Sequence, residues 1–365
     1  MRVGLVRRGY SSSGGAESFL LLLADGLAAA GHSPVLFTGD GWPAHRWPHG
    51  DPVRIADGSP MAFANHLQRS DPWKRCEFLL SLERVWKCDC YRAGDGVHRV
   101  WLVRRAPHEP WWRVAARAMN PKHRQILRLE TSLFREGGAR KIIANSHMVK
   151  DEIHRVYSTD PASIAVVHNG LDPGAFAPDP TDRREAARRH WGLDAGNIAV
   201  LFTGSGWERK GLAFALQAVA ALRIPDVRLL VAGRGNTAKF RRRADESRTR
   251  FLGVVDDMPS LYAAADLFVL PTLYDPFSNA SLEAAARGLP VITTRFNGFH
   301  EIIEPGVHGE VIDNPADIDA LAKAIERWLD PEKREAARPA IAERAVNFTI
   351  ERNVRESLAA VGIGP

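Results

Sequence analysis

Asp266–Thr294 reads D-L-F-V-L-P-T-L-Y-D-P-F-S-N-A-S-L-E-A-A-A-R-G-L-P-V-I-T-T. The apolar run Leu267 to Leu270 has the length of a buried strand, and a loop rich in Pro, Asp, Ser and Asn follows it. A helix is expected to begin near Asn279. Asp275 stands ahead of that helix and Glu283 about one turn inside it. This strand–loop–helix corner offers two carboxylates and, at Phe277, Ser278 and Asn279, backbone N–H groups expected to be free. Helix N-termini expose unpaired donors and favour anionic or polyhydroxylated ligands. The corner therefore points to a sugar-like ligand; the bland alternative is a capped helix with incidental acids.

Two other segments repeat the pattern of strand, small-residue loop and helix. After the strand-like Ile198–Phe202 comes T-G-S-G-W-E-R-K-G, and then a helix over Leu212–Leu222. Gly204 and Gly206 permit close approach of backbone to a ligand. Arg209 and Lys210 place two cations at the carboxyl end of a strand, where open α/β sheets bind ligands. At the amino end, Arg2–Val6 reads as a short strand, and Y-S-S-S-G-G-A-E opens a long apolar helix. The amides of Gly14 and Gly15 are placed to meet a diphosphate at that helix start. A G-x-G-x-x-G dinucleotide fingerprint is absent here.

The spacing Asp275-x₇-Glu283, followed by A-x-x-x-G-L-P-V-I-T-T, resembles the Glu-x₇-Glu element of retaining family-4 glycosyltransferases, with Asp in place of the first Glu. The resemblance implies that Glu283 holds the ribose of a nucleotide-sugar, while Asp275 and the loop at Phe277, Ser278 and Asn279 hold the donor sugar. Arg209 and Lys210 match the pair that clamps the donor diphosphate, beside Gly204. Gly14 and Gly15 match the family's glycine-rich loop. The implied fold is α/β of the GT-B kind: two Rossmann-like domains with mostly parallel sheets facing across a cleft. Its chemistry is retaining transfer in which the leaving diphosphate itself draws off the acceptor proton, with no metal and no cofactor. Asp317 and Asp319, the one Asp-x-Asp pair, read better as helix capping.

Composition agrees with two domains. A chain of 365 residues is long enough for two cores. Strands alternating with helices argue for mostly parallel sheets. The stretch Asn169–Asp182, rich in Pro, Gly and Asp, reads as a linker. The expected boundaries are 1–170 for an acceptor-side domain, 171–182 for the linker and 183–347 for a donor domain. Residues 348–365, including a helix over Thr349–Val361, are expected by resemblance to return to the first domain. Cys76, Cys88 and Cys90 are too few and too clumped for a disulfide framework and read as buried free thiols. No signal peptide is expected ahead of the first strand, and the longest apolar run, Phe19–Leu27, is broken by Asp25 and too short to span a membrane. A soluble, cytoplasmic chain is expected.

Charge is concentrated in one place. Between Arg99 and Arg128, eight cations face Glu109 alone, a local excess of seven against +6 for the whole chain. Trp101, Trp111 and Trp112 are interleaved with them, and Arg104, Arg105 and Arg113 flank the rings. Such a segment suits an anionic membrane surface, or else forms a solvated helix face over partly buried tryptophans. Nucleic acid is disfavoured, because no recognised binding module accompanies the basic stretch.

Just upstream, C-D-C-Y-R-A-G-D-G-V-H narrows the resemblance to the lipopolysaccharide core glucosyltransferase I group. Asp95 matches the acid proposed there to assist the acceptor hydroxyl, a role His98 could also fill. Asp89 is expected either to cap or to pair with Arg92. Arg7 and Arg8, leaving the first strand, either meet acceptor phosphates or pair with nearby acids. The function implied is transfer of a hexose, by default glucose from UDP-glucose, to a lipid-linked saccharide at the cytoplasmic face of the inner membrane. An epimerase or phosphorylase on the same fold, or a non-catalytic nucleotide-sugar binding protein, are the alternatives.

Overall fold

A computed structural model describes residues 1–10, 15–172 and 181–363. The chain divides into two compact units, Met1–Asn169 with Ile350–Pro365, and Gly170–Thr349. The first crossing falls where the stretch rich in Pro, Gly and Asp begins; residues 173–180 of that stretch lie outside the described residues.

The first unit is built on strands β1 (Arg2–Val6), β2 (Ser33–Thr38), β3 (Val53–Arg54), β4 (Phe78–Ser81), β5 (Cys88–Arg92), β6 (Ala139–Ala144) and β7 (Ile164–Val166). They form one sheet in the order β3-β2-β1-β4-β5-β6-β7, with parallel pairing throughout. Helices α1 (Gly15–Ala29), α2 (Pro60–Arg69), α3 (His98–Arg105), α4 (Trp111–Met119), α5 (Pro121–Phe134) and α6 (His147–Tyr157) connect them. Starts are set by local chemistry: Ser59, Asn120 and Ser146 accept backbone N–H bonds at the N-termini of α2, α5 and α6. The chain's last helix, Ile350–Ala360, lays Val354 and Leu358 into the core of this unit beside α1. A Cβ at Gly26 would stand 2.5 Å from Val354 Cγ1, so the two helices approach this closely only because residue 26 lacks a side chain.

The second unit carries β8 (Ile198–Thr203), β9 (Val227–Ala232), β10 (Thr249–Gly253), β11 (Leu267–Leu270), β12 (Val291–Thr294) and β13 (Gly309–Ile312). Their order is β10-β9-β8-β11-β12-β13, again parallel in every pair. Among the described residues, helices α7 (Thr181–His190), α8 (Leu212–Ala221), α9 (Thr237–Arg241), α10 (Met258–Ala264), α11 (Asn279–Ala286) and α12 (Ile318–Glu326) accompany them. Helix α13 (Pro331–Val346) follows α12. Helices on both faces explain why β8, β9 and β11 read as near-continuous apolar runs rather than alternating ones. Asp266, immediately before β11, is buried beneath Arg184, Arg188 and Arg334 at 2.7, 3.0 and 3.5 Å, and accepts the Ala199 amide at 2.7 Å. That carboxylate pins two helices to the amino end of the sheet.

In each sheet the strand order therefore reverses once, between β1 and β4 in the first unit and between β8 and β11 in the second. Crevices at the carboxyl ends of strands beside such switch points are where open α/β sheets hold ligands.

Candidate functional site

The second unit's switch point brings together the two loops singled out in the sequence. Beyond β8, Trp207 is buried against Phe240 and Phe251 and donates its indole N–H to the Gly204 carbonyl at 3.0 Å. This folds the loop back and delivers Arg209 and Lys210 to the head of α8. Gly204 has φ +128°, and a Cβ there would lie 2.5 Å from Lys210 Cε, so the missing side chain is what admits the lysine stem. Gly211, φ +78°, is equally constrained: its Cβ would stand 1.9 Å from the Pro271 carbonyl oxygen. Beyond β11 the second loop is stitched to the first. The Leu273 amide and Thr272 hydroxyl donate to the Arg209 carbonyl at 2.8 and 2.9 Å, and the Arg209 guanidinium donates to the Tyr274 carbonyl at 2.7 Å.

Asp275 lies buried between the cations, with Lys210 Nζ at 3.1 Å and Arg209 Nη1 at 3.5 Å from the same carboxylate oxygen. Burial pushes its pKa up, yet Lys210 and Arg209 outweigh burial and leave it below the ordinary aspartate value. Asp275, Arg209 and Lys210 thus form one ion-paired group, where the sequence suggested separate sugar and diphosphate contacts.

The helix start also differs from expectation in one respect. The α11 helix does begin at Asn279, and Ser278 caps it by accepting the Ser281 amide at 3.2 Å. The Ser278 amide, however, is not free: it donates to Asn297 Oδ1 at 3.1 Å. Asn297 is fully buried and uses every polar position it has. Its Oδ1 also accepts from Phe299 N at 3.2 Å, and its Nδ2 donates to the Ser281 and Thr293 hydroxyls at 3.3 and 3.0 Å. Phe277 turns its ring into the core against Phe299, with centroids 6.0 Å apart. Glu283 is partly buried on α11 and accepts the Tyr262 phenol at 2.8 Å. Burial raises the Glu283 pKa, against the opposing pull of the phenol and of Lys210. Asn297 and Tyr262 were not singled out in the sequence; an Asn between aromatics and Gly just past a strand end was the only local cue to the first.

In the first unit, the carboxyl ends of β1, β4 and β5 gather a second charged group. The Arg7 guanidinium binds Glu17 at 2.9 Å and Glu83 at 3.1 Å, so of its two expected roles the structure shows pairing with acids. Arg8 donates to the Gly58 carbonyl at 3.1 Å. Gly15 opens α1, while Gly14 lies outside the described residues. Asp95 sits in the turn after β5 with its side chain 71% exposed and Arg84 Nη1 at 3.4 Å. His98 is less suited to act as a base. Burial, then the charge of Arg84 and the neighbouring His123, push its pKa down to about 3, and its Nε2 lies 3.0 Å from His123 Nδ1.

Glu130, not anticipated from sequence, organises this edge. Fully buried on α5, it accepts the His98 and Arg99 amides at the head of α3 at 2.7 and 3.1 Å and the Tyr157 phenol at 2.7 Å. Arg84 lies 3.4 Å from it. Asp89 neither caps a helix nor pairs with Arg92. It accepts the Leu79 amide and the Trp73 indole N–H at 2.9 and 3.0 Å. Three residues apart on one strand, Asp89 and Arg92 point to opposite faces of the sheet. Arg92 instead reaches Asn169 and Ser357 and lies over the Phe19 ring. The three cysteines are free and buried.

The basic, Trp-rich segment forms α3 and α4. Arg104 turns inward to the buried Glu152 at 2.6 Å, and Arg105 pairs with Glu109 at 2.5 Å, an acid also bound by Arg117. These pairs remove part of the outward charge the sequence suggested. What faces solvent is α4, none of whose residues is buried: Trp111 is 81% exposed, Trp112 53% and Met119 79%. Arg113 lies over the Trp112 ring, and Arg105 over the partly buried Trp101. Among the described residues no helix is long and apolar enough to cross a membrane.

Residues 13–175 match the family described as Glycosyltransferase Family 4, and residues 197–331 match Glycosyl transferases group 1. Both units thus match glycosyltransferase models, and the fold is the GT-B pair of Rossmann-like domains. The chain is similar to the D-inositol 3-phosphate glycosyltransferase of Mycobacterium sp. (strain KMS), with 31% identity over 236 residues, 61% of this chain and 52% of that protein. It spans about half the length of the curated relatives it matches. Among solved structures, WaaG, a glycosyltransferase involved in lipopolysaccharide biosynthesis, superposes with a TM-score of 0.78 at 21% identity, covering 99% of both chains. Anabaena Alr3699/HepE in complex with UDP and glucose gives a TM-score of 0.74 at 18% identity, also covering 99% of both.

Proposed function

We propose that the protein is a retaining hexosyltransferase that takes glucose from UDP-glucose and passes it to a lipid-linked saccharide such as a lipopolysaccharide core. The observation that carries this reading is the corner at the β8/β11 switch point, where two cations, a buried aspartate and a helix-borne glutamate converge. The UDP and glucose held by the HepE protein support the donor, and the role of WaaG supports the acceptor; both share the fold.

In this reading Arg209 and Lys210 bind the diphosphate and neutralise the charge that grows on it as the C1–O bond to phosphate breaks. Asp275 fixes both cations beforehand, so little reorganisation is needed in the transition state. The acceptor oxygen bonds to C1 on the face the phosphate leaves, and its proton passes to a phosphate oxygen. Configuration at C1 is therefore retained. Glu283 holds the ribose hydroxyls. Asp95, exposed at the end of β5, orients the acceptor hydroxyl. Trp111, Trp112 and Arg113 rest on an anionic membrane surface, where each near-surface cation contributes about 1 kcal/mol. Such contact would hold the enzyme as a peripheral protein on the cytoplasmic face of the inner membrane.

A nuclear magnetic resonance time course with UDP-glucose and a delipidated core oligosaccharide tests the reading. The expected product is an α-glucoside, with UDP released only when acceptor is present. Epimerised donor formed without acceptor would instead indicate an epimerase, and nucleotide binding with no turnover a binding protein.

A further inference from the structure

We propose that Tyr262 is a positioning residue that fixes Glu283 for recognition of a nucleotide's ribose diol; this rests on the reading that Glu283 holds the ribose. Tyr262 is fully buried on α10, and its hydroxyl reaches the base of α11. There it meets Glu283 Oε2 at 2.8 Å, the Ala280 carbonyl at 3.2 Å and the Thr203 hydroxyl at 3.4 Å. A phenol has one proton to donate, and the carboxylate is both nearer and the stronger acceptor. With the phenol donating to Glu283, the Thr203 hydroxyl is left to donate to the phenol oxygen.

The consequence is geometric. A glutamate on a helix has three rotatable bonds, and holding it in one rotamer costs conformational entropy. Tyr262 meets that cost during folding. It occupies Oε2 and leaves Oε1 as the carboxylate oxygen without a protein partner among the described residues. Two vicinal hydroxyls on a ligand would find a fixed acceptor rather than a mobile one. Tyr262 therefore acts on ribose discrimination through Glu283 and touches no ligand itself.

The test compares calorimetric affinities for UDP and 2′,3′-dideoxy-UDP in wild type and Tyr262→Phe. Wild type is expected to prefer UDP by roughly a hundredfold, and Tyr262→Phe to reduce that preference about tenfold while leaving the dideoxy affinity within about twofold. A fall in both affinities together would show general loosening and overturn the proposal, as would an unchanged preference. If the wild type itself does not distinguish the two nucleotides, the ribose reading of Glu283 fails and this proposal falls with it. A double-mutant cycle guards against trivial misfolding. In the Glu283→Ala background the phenol has no carboxylate to hold, so adding Tyr262→Phe must cause no further loss of UDP affinity; an additional loss there also overturns the proposal.

Discussion

Lys210 Nζ and Asp275 Oδ2 stand 3.1 Å apart, joining two loops 65 residues distant in sequence across the switch point of the second sheet. The pair is buried, and the lysine stem passes where a Cβ on residue 204 would stand, 2.5 Å from Lys210 Cε. A buried pair of this kind is weak evidence for stability but strong evidence for a fixed position, since Lys210 without Asp275 would lose its buried ion-pair partner. The functional reading rests on that fixed position.

Lys210→Met is expected to lower kcat for glucosyl transfer by about a hundredfold to a thousandfold, the range for losing one preorganised group that meets developing charge. Steady-state kinetics with UDP-glucose would check it. A rise in KM with kcat intact would assign Lys210 to ground-state binding only.

The same pair predicts an acid limb in stability. The folded-state pKa of Asp275 lies below its unfolded value of about 3.9, so its stabilising contribution is complete above that value and is lost as pH falls through the folded pKa. Urea unfolding between about pH 5 and pH 2 should therefore show a steeper loss in wild type than in Asp275→Asn, which has no carboxyl to protonate. Parallel curves would contradict the ion-pair account.

Asn297→Ala should destabilise the fold by about 2–3 kcal/mol, because it strands the amides of Ser278 and Phe299 and removes the partner of two buried hydroxyls. Chemical denaturation measures this directly. UDP affinity should fall as well, since the Ser278 turn that leads into α11 is held by the same side chain.

Replacing Trp111 and Trp112 together by Ala should weaken binding to vesicles containing anionic lipid at least about tenfold, given the apolar area the two rings present. Melting temperature and turnover of a soluble acceptor should not change, because neither ring packs on the core. Sedimentation with vesicles separates this outcome from a merely solvated helix.

Much of the architecture could be read without coordinates because parallel strands covered on both faces leave apolar runs such as Leu267–Leu270. The capping and loop chemistry between those runs is local. The same locality made Arg209, Lys210, Asp275 and Glu283 visible as a set. What stayed hidden was the choice of partners across distance. Asn297 takes the Ser278 amide from 19 residues away, Tyr262 reaches Glu283 across 21, and Glu130 holds the head of α3 from 31 and 32. Arg104 shows the converse. Its place in a basic, Trp-rich run suggested an outward cation, yet a buried Glu152, 48 residues on, draws it inward. Charge composition counts such residues equally, whereas burial decides which of them a surface actually presents.

The corner between β8 and β11 is expected to bind a nucleoside diphosphate through Glu283. Calorimetric titration of wild type and Glu283→Ala with UDP, GDP and ADP decides this. Selective binding of UDP, weakened by roughly 1–3 kcal/mol in the variant, is the predicted result. Absence of binding by all three nucleotides, or equal affinity in a folded Glu283→Ala protein, would contradict it.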